Sequence, residues 1–305
     1  MSAEQQTIVE YIQSRIEKAD SSDDVMQQAI AGHTEIRQAL DLLPDAPHTF
    51  LTGSYDRRTH ICPLSNVDIF LVSKTAESDA LQVLQTVAEH LQKHLSNDAQ
   101  IHLREGSIGV VYPHFDLLFD VIPAIETKKG GFRIPVQVGN EFVETHPSQA
   151  KRALQEANER CDRLIPLIKL LKQMNAAWAR PLLDERGEPI LGEDGKKIKP
   201  LQSFHLEVMC YSADIDAYPD DCSRFLELVH HLIANVRERT LCAPGGGAPL
   251  GAYLDEFRRP WPRDQVVDWL QETARHLSDA CFREFNDSHE KTIDVWRWRL
   301  DNLRT

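Results

Sequence analysis

The sequence lacks the marks of several large classes of protein. No apolar run approaches the roughly 20 residues that cross a bilayer, and the first residues, MSAEQQTIVE, lack the basic start and apolar block of a secretory signal. We therefore expect a cytoplasmic protein with no membrane partner. The six cysteines form no Cys-x-x-Cys pair and no cluster with histidine at zinc spacing, so we expect reduced thiols.

Positive charge is also scarce. The chain has 34 Lys and Arg against 47 Asp and Glu, a net charge of −13. Binding of long nucleic acids depends on a concentration of Lys and Arg, so this balance makes stable nucleic-acid binding unexpected. Small phosphate anions held by a few local cations remain compatible with it. The length of 305 residues, 42% of them apolar, suffices for one large domain or two modest ones.

The residue pattern divides the chain into three consecutive regions. Apolar residues at helical spacing predict amphipathic helices up to about residue 43, with a break and a new helix start at residues 21–24. Runs rich in β-branched and aromatic residues then predict a small sheet, with one helix at 80–95. From residue 146 the pattern is mostly helical. We therefore predict an α+β fold with two domains, 1–145 containing the sheet and the amino-terminal helices, and 146–305 forming a helical lobe. The predicted strands are HTFLTGS, VDIFLV, IGVVY, FDLLFDVIPAI and FRIPVQV, and the predicted helices of the second half are 150–179, 204–210, 222–240 and 264–285.

Polar side chains interrupt two of the predicted strands. Asn66 and Asp68 are two residues apart and so share one face of a strand, and Asp116 and Asp120 do the same in FDLLFDVIPAI. Carboxylates clustered on neighbouring strands repel one another unless a hard cation such as Mg²⁺ neutralises them. Together the two strands predict a metal site. Either strand alone is better explained by acids on the wet face of a half-exposed sheet.

A glycine–serine pair, Gly53-Ser54, follows the first predicted strand. Glycine lets a phosphate approach the backbone closely, and the serine hydroxyl with nearby amides can bind the phosphate oxygens. Alone, such a pair predicts only a turn. Followed a dozen residues later by the strand that carries Asn66 and Asp68, it indicates nucleotide binding.

These motifs occur in a familiar order. The segment GSYDRRTHICPLSNVDIF resembles the GS-x-x-x-x-T…D-x-D signature of DNA-polymerase-β-like nucleotidyltransferases, and most of all the bacterial cGAS/DncV-like enzymes (CD-NTases) of CBASS antiphage systems. FDVIPA resembles the strand that carries the family's third carboxylate, which implies that role for Asp120. LIPLIKLLKQMN and LQSFHLEVM resemble two helical segments of the family. They imply that Lys172 and Ser203 hold a triphosphate with Gly53 and Ser54, and that Phe204 stacks on a base.

The resemblance, which covers most of the chain, also implies a fold and a reaction. The fold is a polymerase-β-like palm with a carboxy-terminal helical lobe and the active site in the cleft between them. By the resemblance, position 66, Asp68 and Asp120 would bind two Mg²⁺ ions, or Mn²⁺ in their place. A ribose hydroxyl of one NTP would attack the α-phosphate of another, and a second transfer would close a cyclic di- or trinucleotide. That product would act on a separate effector protein.

One position departs from the family pattern. Residue 66 is asparagine where the family has the first aspartate of D-x-D, and a neutral amide should hold a metal less well and slow turnover sharply. Three explanations compete. The asparagine was introduced to inactivate the enzyme and trap substrates; it is native to a degenerate, binding-only homologue; or Asp56 or Asp116 supplies the missing ligand.

Other functions and simpler roles stay open at this point. The chain could be a linear nucleotidyltransferase acting on RNA, a protein or a small molecule, or a catalytically dead nucleotide-binding homologue. Taken singly, Lys172 could be a solvated lysine on an amphipathic helix, Ser203 a helix N-cap and Phe204 ordinary core.

Overall fold

The structure is a computed structural model in which the contacts between Cα atoms divide the chain into two compact units. One, here called the sheet unit, is Asp20–Lys151, and the other, the helical unit, is Met1–Ala19 with Arg152–Thr305. The residues that the structure describes are 8–19, 22–44, 48–73, 80–104, 106–115, 117–128, 130–136, 141–177, 181–191, 200–238 and 263–285.

The elements of the sheet unit are α2 (Asp23–Leu40), β1 (His48–Thr52), α3 (Gly53–Asp56), β2 (Asn66–Ser73), α4 (Ala80–His94), β3 (Gln100–Arg104), β4 (Ser107–Val111), β5 (Leu118–Glu126), β6 (Phe132–Val136) and β7 (Glu141–Thr145). Those of the helical unit are α1 (Ile8–Glu17), α6 (Leu164–Ala176), α7 (Ser203–Cys210), α8 (Asp221–Glu238) and α9 (Arg263–Phe285). The division between the units falls within α5 (Pro147–Arg160). No helix in these described stretches is both long and apolar enough to span a bilayer.

The sheet has the order β1-β2-β5-β4-β3, and β6 pairs with both β5 and β7. Strands β2 and β5 are parallel, whereas every other pair is antiparallel. All five predicted strands are present. The strands β3 and β7 were not predicted, because both lie at an edge of the sheet and β3 in particular is mostly exposed, so their sequences QIHLR and EFVET carry no apolar run.

Helices α2 and α4 cover one face of the sheet. The side chains of Val67 and Ile69 in β2 and of Phe119 in β5 pack into the core that these helices close. Gly32 lets α2 come near, since a Cβ at that position would lie 2.2 Å from Cζ of Phe119. The predicted start of α2 is confirmed: Ser22 is its N-cap and accepts a hydrogen bond from the backbone N–H of Val25 at 3.5 Å.

Helix α1 packs in the helical unit, whereas the sequence had placed it with the sheet. Its residues Tyr11, Ile12 and Ile16 belong to the core built by the later helices. Arg163 fixes this placement by donating hydrogen bonds to Gln13 of α1, at 3.0 Å, and to Asp221 of α8. An apolar stripe predicts that a helix packs against a hydrophobic core, but it does not show which part of the chain supplies that core.

The single helix predicted at 150–179 is two helices. The first, α5, ends at Arg160, and α6 begins at Leu164. Pro166 explains the break, because a proline inside a continuous helix removes a backbone hydrogen bond and its ring clashes with the preceding turn, whereas the first turn tolerates it. Asn158 completes the junction by accepting a hydrogen bond from the N–H of Ile165 at 3.1 Å.

The cysteines behave as predicted where the structure describes their side chains. Cys62 is exposed, Cys161, Cys210 and Cys222 are buried, and all four are free thiols.

Candidate active site

The centre of the candidate site is a pair of aspartates on neighbouring parallel strands. Asp68 of β2 lies directly opposite Asp120 of β5 in the register, and hydrogen-bonded strands run about 4.8 Å apart. Val67 and Phe119 point into the core beneath the helices, so by alternation both carboxylates are on the other face of the sheet. The structure therefore brings together two of the predicted metal ligands from distant parts of the chain.

The turn at Gly53 lies against Asp68. Gly53 has φ +69°, a conformation that favours glycine, and a Cβ built on it would be 1.7 Å from Oδ2 of Asp68. Only glycine fits this contact. Ser54, the next residue, is half-buried in α3, and its carbonyl accepts a hydrogen bond from the N–H of Thr59 at 2.9 Å. The predicted phosphate-holding turn is thus adjacent to the predicted metal site.

The surroundings of Asp68 disfavour its ionised carboxylate. Burial and then the neighbouring charge of Asp120 raise the pKa of Asp68 from 3.8 to about 6. The charges of Arg57 and Arg104 and a hydrogen bond from Asn66 act in the opposite direction without cancelling that rise. Two like charges held side by side are relieved when a cation binds both.

Asn66 completes this group in a way that an aspartate would not. Its Nδ2 donates a hydrogen bond to Oδ1 of Asp68 at 3.0 Å, while its own Oδ1 accepts one from Ser65 at 3.4 Å. The amide therefore turns an N–H toward the oxygens on which a cation would be held. Among the described residues no group of three His, Cys, Asp or Glu side chains could hold a metal. The two carboxylates fit a divalent ion, and the amide fits it only after rotating its oxygen inward.

Of the two acids considered as substitutes for a carboxylate at position 66, the structure describes only Asp56. The Asp56 carboxylate accepts a hydrogen bond from Lys151 at 2.7 Å, so its charge is already paired. Asp56 lies in the short helix α3 rather than in a loop. Asp116 lies outside the described residues.

The other predicted nucleotide-binding residues belong to the helical unit. Lys172 of α6 is not a solvated lysine: it is 4% exposed and donates a hydrogen bond at 2.7 Å to Glu207, which is fully buried. Tyr211 donates to the other carboxylate oxygen of Glu207 at 2.9 Å. Ser203 is exposed and is the first residue of α7, whose N-cap is Gln202. Phe204 is half-buried and packs against the helical core.

Sequence reasoning missed two residues that contact Asp120. Ser107 of β4 donates a hydrogen bond to its Oδ1 at 3.0 Å, and Nε of Arg104 lies 3.6 Å from the same oxygen. No local signal marks either residue, because both reach Asp120 through the pairing of strands.

The sequence also matches the model of a known protein family. Residues 4–158 match the model of the Second Messenger Oligonucleotide or Dinucleotide Synthetase (SMODS) domain, and so include the whole sheet unit. The chain belongs to this family. The match confirms the cGAS/DncV-like nucleotidyltransferase relationship that the motifs had indicated.

A curated relative of this SMODS protein supports the same family assignment. A cyclic AMP-AMP-AMP synthase from an Acinetobacter strain is 29% identical over 184 residues, 56% of this chain and 51% of the relative. The match thus spans about half the length of that curated relative.

Solved structures share their fold with most of this chain. CdnC from E. coli MS115-1 with ATP gives a TM-score of 0.70 at 15% identity, covering 97% of this chain and 98% of CdnC. A cyclic dinucleotide synthase, CdnE of Elizabethkingia meningoseptica, gives 0.65 at 16% identity, covering 88% and 98%. The predicted α+β fold with a polymerase-β-like nucleotidyltransferase palm is thereby confirmed.

Proposed function

We propose that this protein is a nucleotidyltransferase that joins NTPs into a cyclic di- or trinucleotide second messenger in cytoplasmic antiphage defence, and that the product acts on a separate effector protein. The observation that carries the proposal is the Asp68–Asp120 pair lying against the glycine turn at Gly53. Membership of the SMODS family supports it. So does the name of the Acinetobacter relative, a cyclic AMP-AMP-AMP synthase.

Asp68 and Asp120 would hold Mg²⁺, with position 66 as a third ligand when it is aspartate. Bound there, the ions would stabilise the attacking and departing oxygens of an in-line displacement at a phosphate. Asp120 would orient the attacking ribose hydroxyl. The backbone at Gly53 and the hydroxyl of Ser54 would bind phosphate oxygens, since the absence of a side chain at residue 53 leaves the backbone open to close approach.

The resemblance assigns the remaining nucleotide contacts to Lys172, Ser203 and Phe204, and we retain them in the proposal. An ammonium group has three N–H donors, so the bond from Lys172 to Glu207 does not by itself exhaust them. Ser203 is exposed and free of that constraint. Phe204 is only half-buried, which leaves part of its ring available for stacking on a base.

Asn66 supports a second candidate, a nucleotide-binding homologue without turnover. The hydrogen bond from its amide to Asp68 satisfies a carboxylate oxygen that a metal would otherwise take. In that case the protein binds NTPs and releases them unchanged.

The deciding experiment compares this protein with its Asn66→Asp variant. Each is incubated with all four NTPs and Mg²⁺ or Mn²⁺, and the products are treated with phosphatase and separated by chromatography. Phosphatase-resistant cyclic products from Asn66→Asp, at least about 100-fold above this protein, support the proposal; that ratio corresponds to about 3 kcal/mol in the barrier. The control is the Asn66→Asp/Asp68→Asn double variant, which should make none.

Other outcomes would select a different function. Labelling of an added RNA, protein or small molecule without cyclic products would indicate a linear nucleotidyltransferase. NTP binding by calorimetry in both proteins, with turnover in neither, would indicate the binding-only homologue.

A further inference from the structure

The Asp120 carboxylate is held by a side chain from the neighbouring strand. Ser107 donates a hydrogen bond from Oγ to Oδ1 of Asp120 at 3.0 Å, and both residues are 9% exposed. Gly109 is directly opposite Asp120 in the antiparallel pairing of β4 with β5. By alternation, Ser107 projects from the same face of β4 as Gly109, so it reaches Asp120 diagonally.

Arg104 reaches the same carboxylate from one strand farther out. It is the last residue of β3, at the edge of the sheet, and its side chain must cross β4 to bring Nε within 3.6 Å of Oδ1 of Asp120. Gly109 leaves the path open: a Cβ there would lie 2.8 Å from Cδ of Arg104. The contact therefore needs both residues: Gly109 lies opposite Asp120, and Arg104 crosses over Gly109 to reach the carboxylate.

Both contacts are made to one oxygen of the carboxylate. Ser107 and Arg104 both address Oδ1. A carboxylate anchored through one oxygen has a fixed rotamer and presents the other oxygen in a fixed direction. Arg104 also places a positive charge beside two carboxylates that repel each other.

We propose that Ser107 and Arg104 are positioning residues that anchor Oδ1 of Asp120 and thereby present Oδ2 to the divalent ion of the nucleotidyl-transfer site. Gly109 is the position that makes room for Arg104. The inference rests on the proposed function for its chemistry, since it names how that site is built. Ser107 contributes more to the anchoring of Asp120 than Arg104 does, because its contact is short and buried. The side chain of Arg104 is 48% exposed and its contact is longer.

The test measures metal binding directly, so that it does not depend on turnover. Free Mn²⁺ is titrated by electron paramagnetic resonance in the Asn66→Asp protein and in the same protein carrying Ser107→Ala, Ser107→Thr or Arg104→Gln. Ser107→Ala should weaken Mn²⁺ binding about 10- to 100-fold, the usual effect of removing a hydrogen bond to a metal ligand. Ser107→Thr keeps the hydroxyl and should recover most of the affinity. Arg104→Gln should weaken binding by about two- to fivefold, a smaller but measurable loss.

The matched control is Arg133→Gln, which removes an exposed arginine of β6 in the same sheet. It should leave Mn²⁺ affinity unchanged. In NTP assays, Ser107→Ala should lower kcat with little change in the KM for NTP, because a positioning residue acts on the reacting centre rather than on substrate binding. Melting temperatures identify any variant that fails to fold, in which case Arg104→Gln still tests the inference.

Two results would overturn it. One is a Ser107→Ala protein that folds and binds Mn²⁺ as tightly as its parent while Arg104→Gln also has no effect. The other is the absence of Mn²⁺ binding in the parent. Failure of the proposed function is a separate result: cyclic products would be missing although Mn²⁺ binds and Ser107→Ala weakens that binding.

Discussion

The two units of this protein bury charge in opposite ways. In the helical unit, Glu207 is buried with a cation, Lys172, at 2.7 Å, and with a hydroxyl donor, Tyr211. In the sheet unit, Asp68 and Asp120 are neighbours of like charge, and burial and repulsion raise the pKa of Asp68 to about 6. The helical unit therefore neutralises its buried charge internally, whereas the sheet unit leaves negative charge for something else to neutralise.

The two arrangements suit different roles. A paired buried charge is costly to disrupt but asks for no ligand. Two neighbouring acids whose repulsion nearby arginines offset only in part destabilise the protein alone and are relieved by a cation, so they mark a functional site better than a structural one. Because the two arrangements differ in sign, the stability of matched variants should change in opposite directions in the two units.

Removing one partner of the Lys172–Glu207 pair should cause the largest fall in the free energy of unfolding. Glu207→Ala leaves the Lys172 ammonium buried without its carboxylate, which should lower the free energy of unfolding by about 3–5 kcal/mol. Urea denaturation at neutral pH measures the change. Glu159→Ala, at an exposed position of α5, is the control and should change stability by about 0.5 kcal/mol or less. Equal effects at the two positions would contradict a buried, structural pair.

The sheet pair should respond with the opposite sign. Asp68→Asn should raise the stability of the metal-free protein by up to about 3 kcal/mol above pH 6, because a pKa raised from 3.8 to about 6 means that the folded state binds this proton more tightly than the unfolded chain. Stability conferred by the protonated Asp68 is present below about pH 4 and is lost as pH rises to about 6. The advantage of the variant should therefore appear across that window.

Thermal melts from pH 4 to pH 8 in the presence of a chelator measure this pH dependence. Asp98→Asn, at an exposed position after α4, should show no comparable advantage. An Asp68→Asn protein that is less stable than its parent at pH 7.5 would show that repulsion does not dominate this pair.

A methyl group at the glycine turn should break the contact between the turn and Asp68 of the proposed metal site. Gly53→Ala combines an unfavourable φ with a collision against Asp68 and should cost about 2–3 kcal/mol, together with most activity in the Asn66→Asp background. Gly130→Ala is the matched control, since Gly130 has φ +78° but nothing within 4 Å of an added Cβ. It should cost only about 1 kcal/mol. Calorimetric melting would show whether the difference exists.

The smallest expected effect concerns the hydroxyl that completes the helical pair. Tyr211→Phe removes one donor to Glu207 and leaves the Lys172 bond in place, so it should cost about 1 kcal/mol. In a double-mutant cycle with Glu207→Ala, the loss of the hydroxyl should have no further effect, since its acceptor is gone. Full additivity of the two changes would show that the hydroxyl acts elsewhere.

Much of the fold was predictable, because its signals are local. Runs rich in β-branched and aromatic residues predicted five of the strands, and the start of α2 near Ser22 followed from helix-capping chemistry. The edge strand β3 escaped because an exposed strand needs no apolar pattern. The break between α5 and α6 was missed although Pro166 marks it, since the apolar spacing runs on through the junction.

The candidate site divides in the same way. The residue types at 53, 54, 66, 68 and 120, and the face that Asp68 presents, were readable from spacing and from the family motif. The contacts of Asp120 with Ser107 and Arg104, and of Lys172 with Glu207, were not. Those pairs join residues from different strands or helices, and no local pattern records which elements become neighbours.

The residue pattern was enough to locate most of the strands and helices and to say which side chains share a face, because these follow from backbone periods of 2 and 3.6 residues. The pattern did not show that β2 and β5 run side by side, that Gly53 abuts Asp68, or that α1 packs with the distant helices; these contacts appear only in the folded chain. Pairing between remote segments depends on how the whole core closes, and that is a property of all the packed surfaces together rather than of any one stretch of chain.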